Sequence, residues 1–91
     1  MPDPVWKDAA RADLLAIIDY ISDDNPDAAL ALLDEVEKRV ARLAQQPRSG
    51  RPGRMSGTRE LVVQANYIVV YAEAEDRVTV LRVLHAARQW P

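Results

Sequence analysis

The chain has no cysteine and a single histidine, His85, among its 91 residues. Disulfide frameworks, thiol nucleophiles and Cys/His zinc sites are therefore excluded, and any catalysis must draw on other groups. No apolar run approaches the roughly 18 residues of a membrane span. Met1-Pro2-Asp3-Pro4 lacks the basic and apolar regions of a secretory signal, so no membrane partner is expected and the cytoplasm is the expected compartment. Also missing are a P-loop, a GxGxxG fingerprint, zinc-ligand spacing and an ordered Ser/His/Asp set, and no cofactor is expected. Gly50-Arg51-Pro52-Gly53 looks superficially like a phosphate cradle, but no helix begins there to supply a dipole. Internal repeats, low-complexity tracts and linkers are absent too. Residues 1–91 are read as a single domain, at the small end of what folds without staples.

Charge is present but unevenly placed. Residues 1–46 carry five basic against ten acidic side chains, net −5, and residues 47–91 carry seven arginines against four acids, net +3. The second half contains no lysine. Arginine-only basicity suits planar, bidentate contacts to carboxylate or phosphate, although the same residues would also serve as a solvated face.

Pro4-Val5-Trp6 suits a short opening strand. From Asp8 the pattern turns helical, with Ala10, Leu14, Ile17, Ile18 and Ile21 on one face and Asp13, Asp19 and Asp23 placed off it. Ser22-Asp23-Asp24-Asn25 ends this helix. Asn25-Pro26-Asp27 starts the next: Asn accepts from first-turn amides, Pro fits the first position, and Asp complements the dipole. The second helix is expected to reach about Gln46, with a stripe of Ala29, Leu32, Leu33, Val36, Val40 and Leu43, and Pro47 closes it. The short connection requires an antiparallel helical hairpin.

Pro47 to Thr58 holds two prolines, three glycines, two serines and three arginines, the composition of a loop. Three β-rich runs follow, Arg59–Ala65, Tyr67–Glu73 and Arg77–His85, joined by connections short enough for an antiparallel meander. Ile68-Val69-Val70-Tyr71 shows no solvent side, so its run should be central. The expected fold is α+β, ordered β-α-α-β-β-β, with the helical hairpin on one face of a small antiparallel sheet and the other face open.

That fold would gather Arg51, Arg54, Arg59, Glu60, Arg82, His85 and Arg88 at the loop and sheet. Simple alternation in the last run puts Arg77, Thr79, Leu81, Val83 and His85 on one face and Val78, Val80, Arg82 and Leu84 on the other, so Arg82 and His85 should point oppositely. His85 has the pKa range of a general acid or base, and a structural hydrogen-bonding role fits it as well. Trp90 suits either an interface anchor or a cover over the sheet edge. Tyr67 and Tyr71 share a face and read as sheet packing.

Several segments, taken together, resemble the RelE/ParE-type toxins of bacterial toxin–antitoxin pairs: Asp13-Leu14, Ile17 to Ile21, Pro47 with Gly50-Arg51, Gly57 to Leu61, Tyr67 to Tyr71, and Val83 to Pro91. The resemblance spans nearly the whole chain and implies the same β-α-α-β-β-β fold. It also implies a cognate antitoxin whose segment wraps the toxin, and operator DNA contacts made through that antitoxin. RelE-like members are ribosome-dependent mRNA endonucleases, whereas ParE-like members poison DNA gyrase by binding. The nucleases commonly place arginine second in the Tyr-x-x-x-Tyr strand, where this chain has Ile68, and some carry tyrosine after the histidine, where it has Ala86. An aliphatic side chain cannot stabilise a phosphorane. The resemblance thus favours the ParE-like, noncatalytic activity over an mRNA interferase, with a nontoxic partner-binding module as a third reading. Arg51, Arg54, Arg59, Arg82, His85, Arg88 and Trp90 are the candidate target or antitoxin contacts. Arg59, Arg82 and His85 would be the catalytic set of an interferase, and no metal site is expected.

Overall fold

The structure is a computed structural model that describes residues 2–86. β1 (Val5–Trp6) leads into α1 (Asp8–Asp24) and α2 (Pro26–Arg42), followed by β2 (Arg51–Pro52), β3 (Arg59–Val63), β4 (Tyr67–Ala74) and β5 (Arg77–His85). This is the α+β order that the sequence implies, with one strand added inside the arginine-rich loop. Arg51 pairs with Glu60 and Pro52 with Arg59.

The sheet runs β1-β5-β4-β3-β2, so β4 is central, as its unbroken apolar character requires. It is not wholly antiparallel. β1 lies parallel to β5, with Val5 opposite Thr79 and Trp6 opposite Val80, and the Lys7 amide extends the pairing to the Val80 carbonyl at 2.9 Å. The helical hairpin between β1 and the meander acts as the crossover that a parallel pair needs.

Asn25 ends α1 and begins α2. Its amide donates to the Ile21 carbonyl at 2.8 Å, its side chain accepts from the Ala28 amide at 3.1 Å, and Pro26 follows. The second helix stops at Arg42 rather than Gln46. The amides of Leu43, Ala44 and Gln45 bond back to Val40, Ala41 and Arg42, a spacing of three that tightens the last turn while Leu43 and Ala44 stay buried.

Ala10, Leu14, Leu32, Val36, Val40 and Leu43 from the helices meet Leu61, Val63, Val69, Tyr71, Val78, Val80 and Val83 from the sheet in the main core. The opposite face is not bare: Ile68, Val70 and Leu84 are buried there, with Leu81 and Ala86 packed against them. Simple alternation fails in β5 because Val70 pairs with Arg82 while Tyr71 pairs with Val80, leaving Leu81 as an extra residue. This bulge puts Val78, Val80 and Val83 on the helix side, and Arg82 and Leu84 opposite. Left-handed residues close the hairpins, Gln64 and Ala65 after β3, and Glu75 and Asp76 between β4 and β5. Between the paired Ala74 and Arg77, the two successive positive φ values suit the twist of a two-residue hairpin, whereas three residues separate the paired Val63 and Tyr67.

Candidate functional site

Glu60 is the organising residue of the loop. It lies on β3 opposite Val70, and its side chain is 2% exposed. A carboxylate at that depth needs charged or hydrogen-bonding partners. Arg51 supplies Nε and Nη2, both donating to Oε1 at 3.3 and 3.1 Å. Arg54 donates its amide to Oε2 at 3.3 Å and places Nε 3.8 Å from the same oxygen. The Gly53 amide bonds the Thr58 carbonyl at 2.8 Å, closing the turn that carries Arg54. Arg51 and Arg54 are thereby brought together as expected, by an acid that belongs to the arginine constellation.

Arg59 goes elsewhere. It pairs with Tyr71, on the helix side, and its Nη1 donates to the Gly50 carbonyl at 2.8 Å and the Arg48 carbonyl at 3.4 Å. The Tyr71 hydroxyl, fully buried, accepts from the Gly50 amide at 2.9 Å and donates to the Pro47 carbonyl at 2.8 Å. Gly50 is required here: a Cβ would stand 2.6 Å from that hydroxyl and 2.9 Å from the Glu60 carbonyl. Arg59 and Tyr71 together fix the bend that delivers Arg51 to Glu60.

Arg82 lies in the cross-strand row Arg51, Glu60, Val70, Arg82, yet its guanidinium is committed to Asp13 of α1. Nε and Nη2 donate to the two carboxylate oxygens at 2.7 and 2.9 Å, and Asp13 Oδ2 also accepts from the Val83 amide at 3.0 Å. The hydrogen bond to Asp13, then its charge, raise the Arg82 pKa above its usual value against the opposing effect of burial. The apolar pattern alone sets Asp13 off the buried stripe. It belongs on it, since Ala10, Asp13, Leu14 and Ile17 follow the three-and-four spacing of one helix face. An acid within that spacing was the available sign of a buried partner.

His85 pairs with Tyr67, its ring edge-on at a centroid distance of 5.4 Å and an angle of 79°. It lines a recess of about 220 Å³ with Asp13, Ile17, Tyr20 and Val83, on the helix side. Arg82 and His85 leave β5 toward opposite faces, as expected, yet the Arg82 guanidinium ends on Asp13, which lines the His85 recess. The cations fall into separate groups: Arg51 and Arg54 at Glu60, Arg82 at Asp13 beside His85, and Arg59 under the loop. Arg88 and Trp90 lie outside the described residues. Among the described residues no cluster of His, Cys, Asp or Glu could hold a metal ion, and no helix is long and apolar enough to cross a membrane.

A helical hairpin on a five-stranded sheet, with an arginine-rich loop braced against the sheet, is the architecture of the RelE/ParE superfamily of toxins. Residues 5–90 match the model for the ParE toxin of the parDE type II toxin–antitoxin system, and the chain belongs to that family. It is similar to the Y4kP protein of Sinorhizobium fredii, 47% identical over 73 residues, covering 79% of this chain and 75% of that one. Toxin RelE2 of Caulobacter vibrioides is 39% identical over 88 residues, 97% and 99% of the respective chains. A solved chromosomal ParDE toxin–antitoxin system from P. aeruginosa superposes with a TM-score of 0.82 at 25% identity, covering 93% of this chain and 96% of that one. The chain is thus a type II toxin, and membership of the family implies a cognate antitoxin.

Proposed function

We propose that this toxin acts without catalysis, by binding and poisoning DNA gyrase, and that its antitoxin silences it by occupying the arginine-bearing surface. The observation that carries the reading is Ile68. It sits in the central strand between Val62 and Leu84, 4% exposed, where a nuclease of this superfamily commonly has an arginine. Transition-state stabilisation depends on cations aimed at the developing charge, and an apolar cluster supplies none. Arg82 in the neighbouring row is engaged by Asp13, and His85 enters from the helix side, lining a recess with that same Asp13. A surface that works by contact is unaffected by these features.

The second reading is a RelE-like, ribosome-dependent mRNA endonuclease, which the name of the Caulobacter vibrioides relative favours. Induced expression in a bacterial host separates the two. Gyrase poisoning predicts filamentation and accumulation of cleaved-DNA gyrase complexes, with translation continuing through the first generation. Codon-phased cuts in ribosome-bound mRNA, abolished by His85→Ala, would replace the gyrase reading with the nuclease.

A further inference from the structure

Glu60 has a role to account for beyond charge balance. Its carboxylate is buried, but the Arg51 side chain that binds it remains 55% exposed. Arg51 is gripped from behind through Nε and one Nη, both on a single oxygen. A guanidinium has five donors in a rigid fork, so the rest of the fork remains for a ligand in front. A long side chain fixed in this way loses little rotamer freedom when it binds, which is the physical content of preorganisation.

We infer that Glu60 is a positioning residue, holding Arg51 ready to receive a carboxylate from an acidic, partly apolar segment of the partner antitoxin. This rests on the antitoxin partnership and is independent of the toxin's target. Two features favour an acidic peptide over a nucleic acid. The other cation of the same cross-strand row, Arg82, has its charge balanced by Asp13, so no track of cations runs along the row to follow a phosphate backbone. Leu81 and Ala86, both half-buried, pack against the buried Ile68, Val70 and Leu84 and leave a small apolar strip beside β5, three strands from Arg51 on β2. Apolar side chains of an extended peptide crossing the sheet suit that strip, with an acid further along placed on Arg51.

The test uses the full chain and its co-encoded antitoxin, with Kd measured at two salt concentrations. Arg51→Ala should weaken the complex about tenfold at low salt and flatten its salt dependence, as loss of a charge-assisted contact predicts. Glu60→Gln should weaken it by a similar factor, and adding it to Arg51→Ala should cost no more, because the two act through one contact. Should Glu60→Gln fail to fold, Arg51→Lys carries the test, since a point charge that cannot form the fork should recover only part of the affinity. Unchanged affinity of Arg51→Ala, or additive losses, would overturn the inference. So would single-stranded RNA binding that depends on Arg51, which would assign the site to a nucleic acid. If the unchanged chain forms no complex, the antitoxin partnership fails and the inference with it, whereas a nuclease outcome in the expression assay leaves this result intact.

Discussion

Asp13 is 13% exposed in its side chain and does two things at once. It neutralises Arg82, and it accepts the Val83 amide where β1 has ended and β5 would otherwise present an unpaired edge. Removing it leaves a partly buried guanidinium and an amide without their acceptor, and hydrogen bonds to charged groups contribute about 1.5–3 kcal/mol each before such penalties. We expect Asp13→Ala to lower unfolding stability by about 2–3 kcal/mol in urea titration. Arg82→Ala should cost less, and the double variant should be clearly less damaging than the sum. Because the Arg82 pKa is raised, its contribution is complete below its usual value and is lost only as pH climbs through a still higher one, so this group adds no slope across the neutral range. Additive effects of the two substitutions would show that the pair is not coupled. The sequence carried the information for Asp13 in its spacing, but its partner is 69 positions away and no local pattern could supply that.

The elements read from sequence are those whose signals are local. Asn25-Pro26-Asp27 announces a helix start, and the cap forms there, with the Asn25 side chain accepting from the Ala28 amide at 3.1 Å. Asn25→Ala should cost about 1 kcal/mol, and Asn25→Asp much less, since aspartate accepts the same bond and suits the dipole. Thermal unfolding checks both, and equal melting temperatures for wild type and Asn25→Ala would show that the cap contributes nothing. What failed at this scale failed for a physical reason. Alternation assigns faces only while the ladder is regular, and the extra residue at Leu81 has no composition signal of its own. The apolar pattern overruns the end of α2 because Leu43 and Ala44 continue it after the hydrogen bonding has tightened. β2 is two residues long and depends on Glu60 gripping Arg51, a contact that loop composition does not reveal.

At the scale of the whole molecule the decisive feature is that β1, the first strand, pairs with β5, the last described one. Adjacent β-rich runs announce antiparallel partners, but a parallel pairing closed across two helices depends on the assembled core and left no mark in the order of residues. It is held by few backbone bonds and by Trp6, which packs against the main core. Deleting residues 2–6 should therefore act twice. Loss of the buried part of Trp6 and its neighbours should lower stability by about 2–4 kcal/mol, the range for large core truncations. The Thr79–Val80 stretch of β5 would then become an open edge, since Asp13 covers only the Val83 amide beyond it. Exposed strand edges recruit other chains. The shortened protein should show association that rises with concentration in sedimentation experiments, and adding back a peptide of residues 2–7 should suppress it. If the deletion variant stays monomeric at unchanged stability, β1 is an ornament on a sheet that Asp13 and the helices already complete, and the role assigned to the parallel pair is wrong.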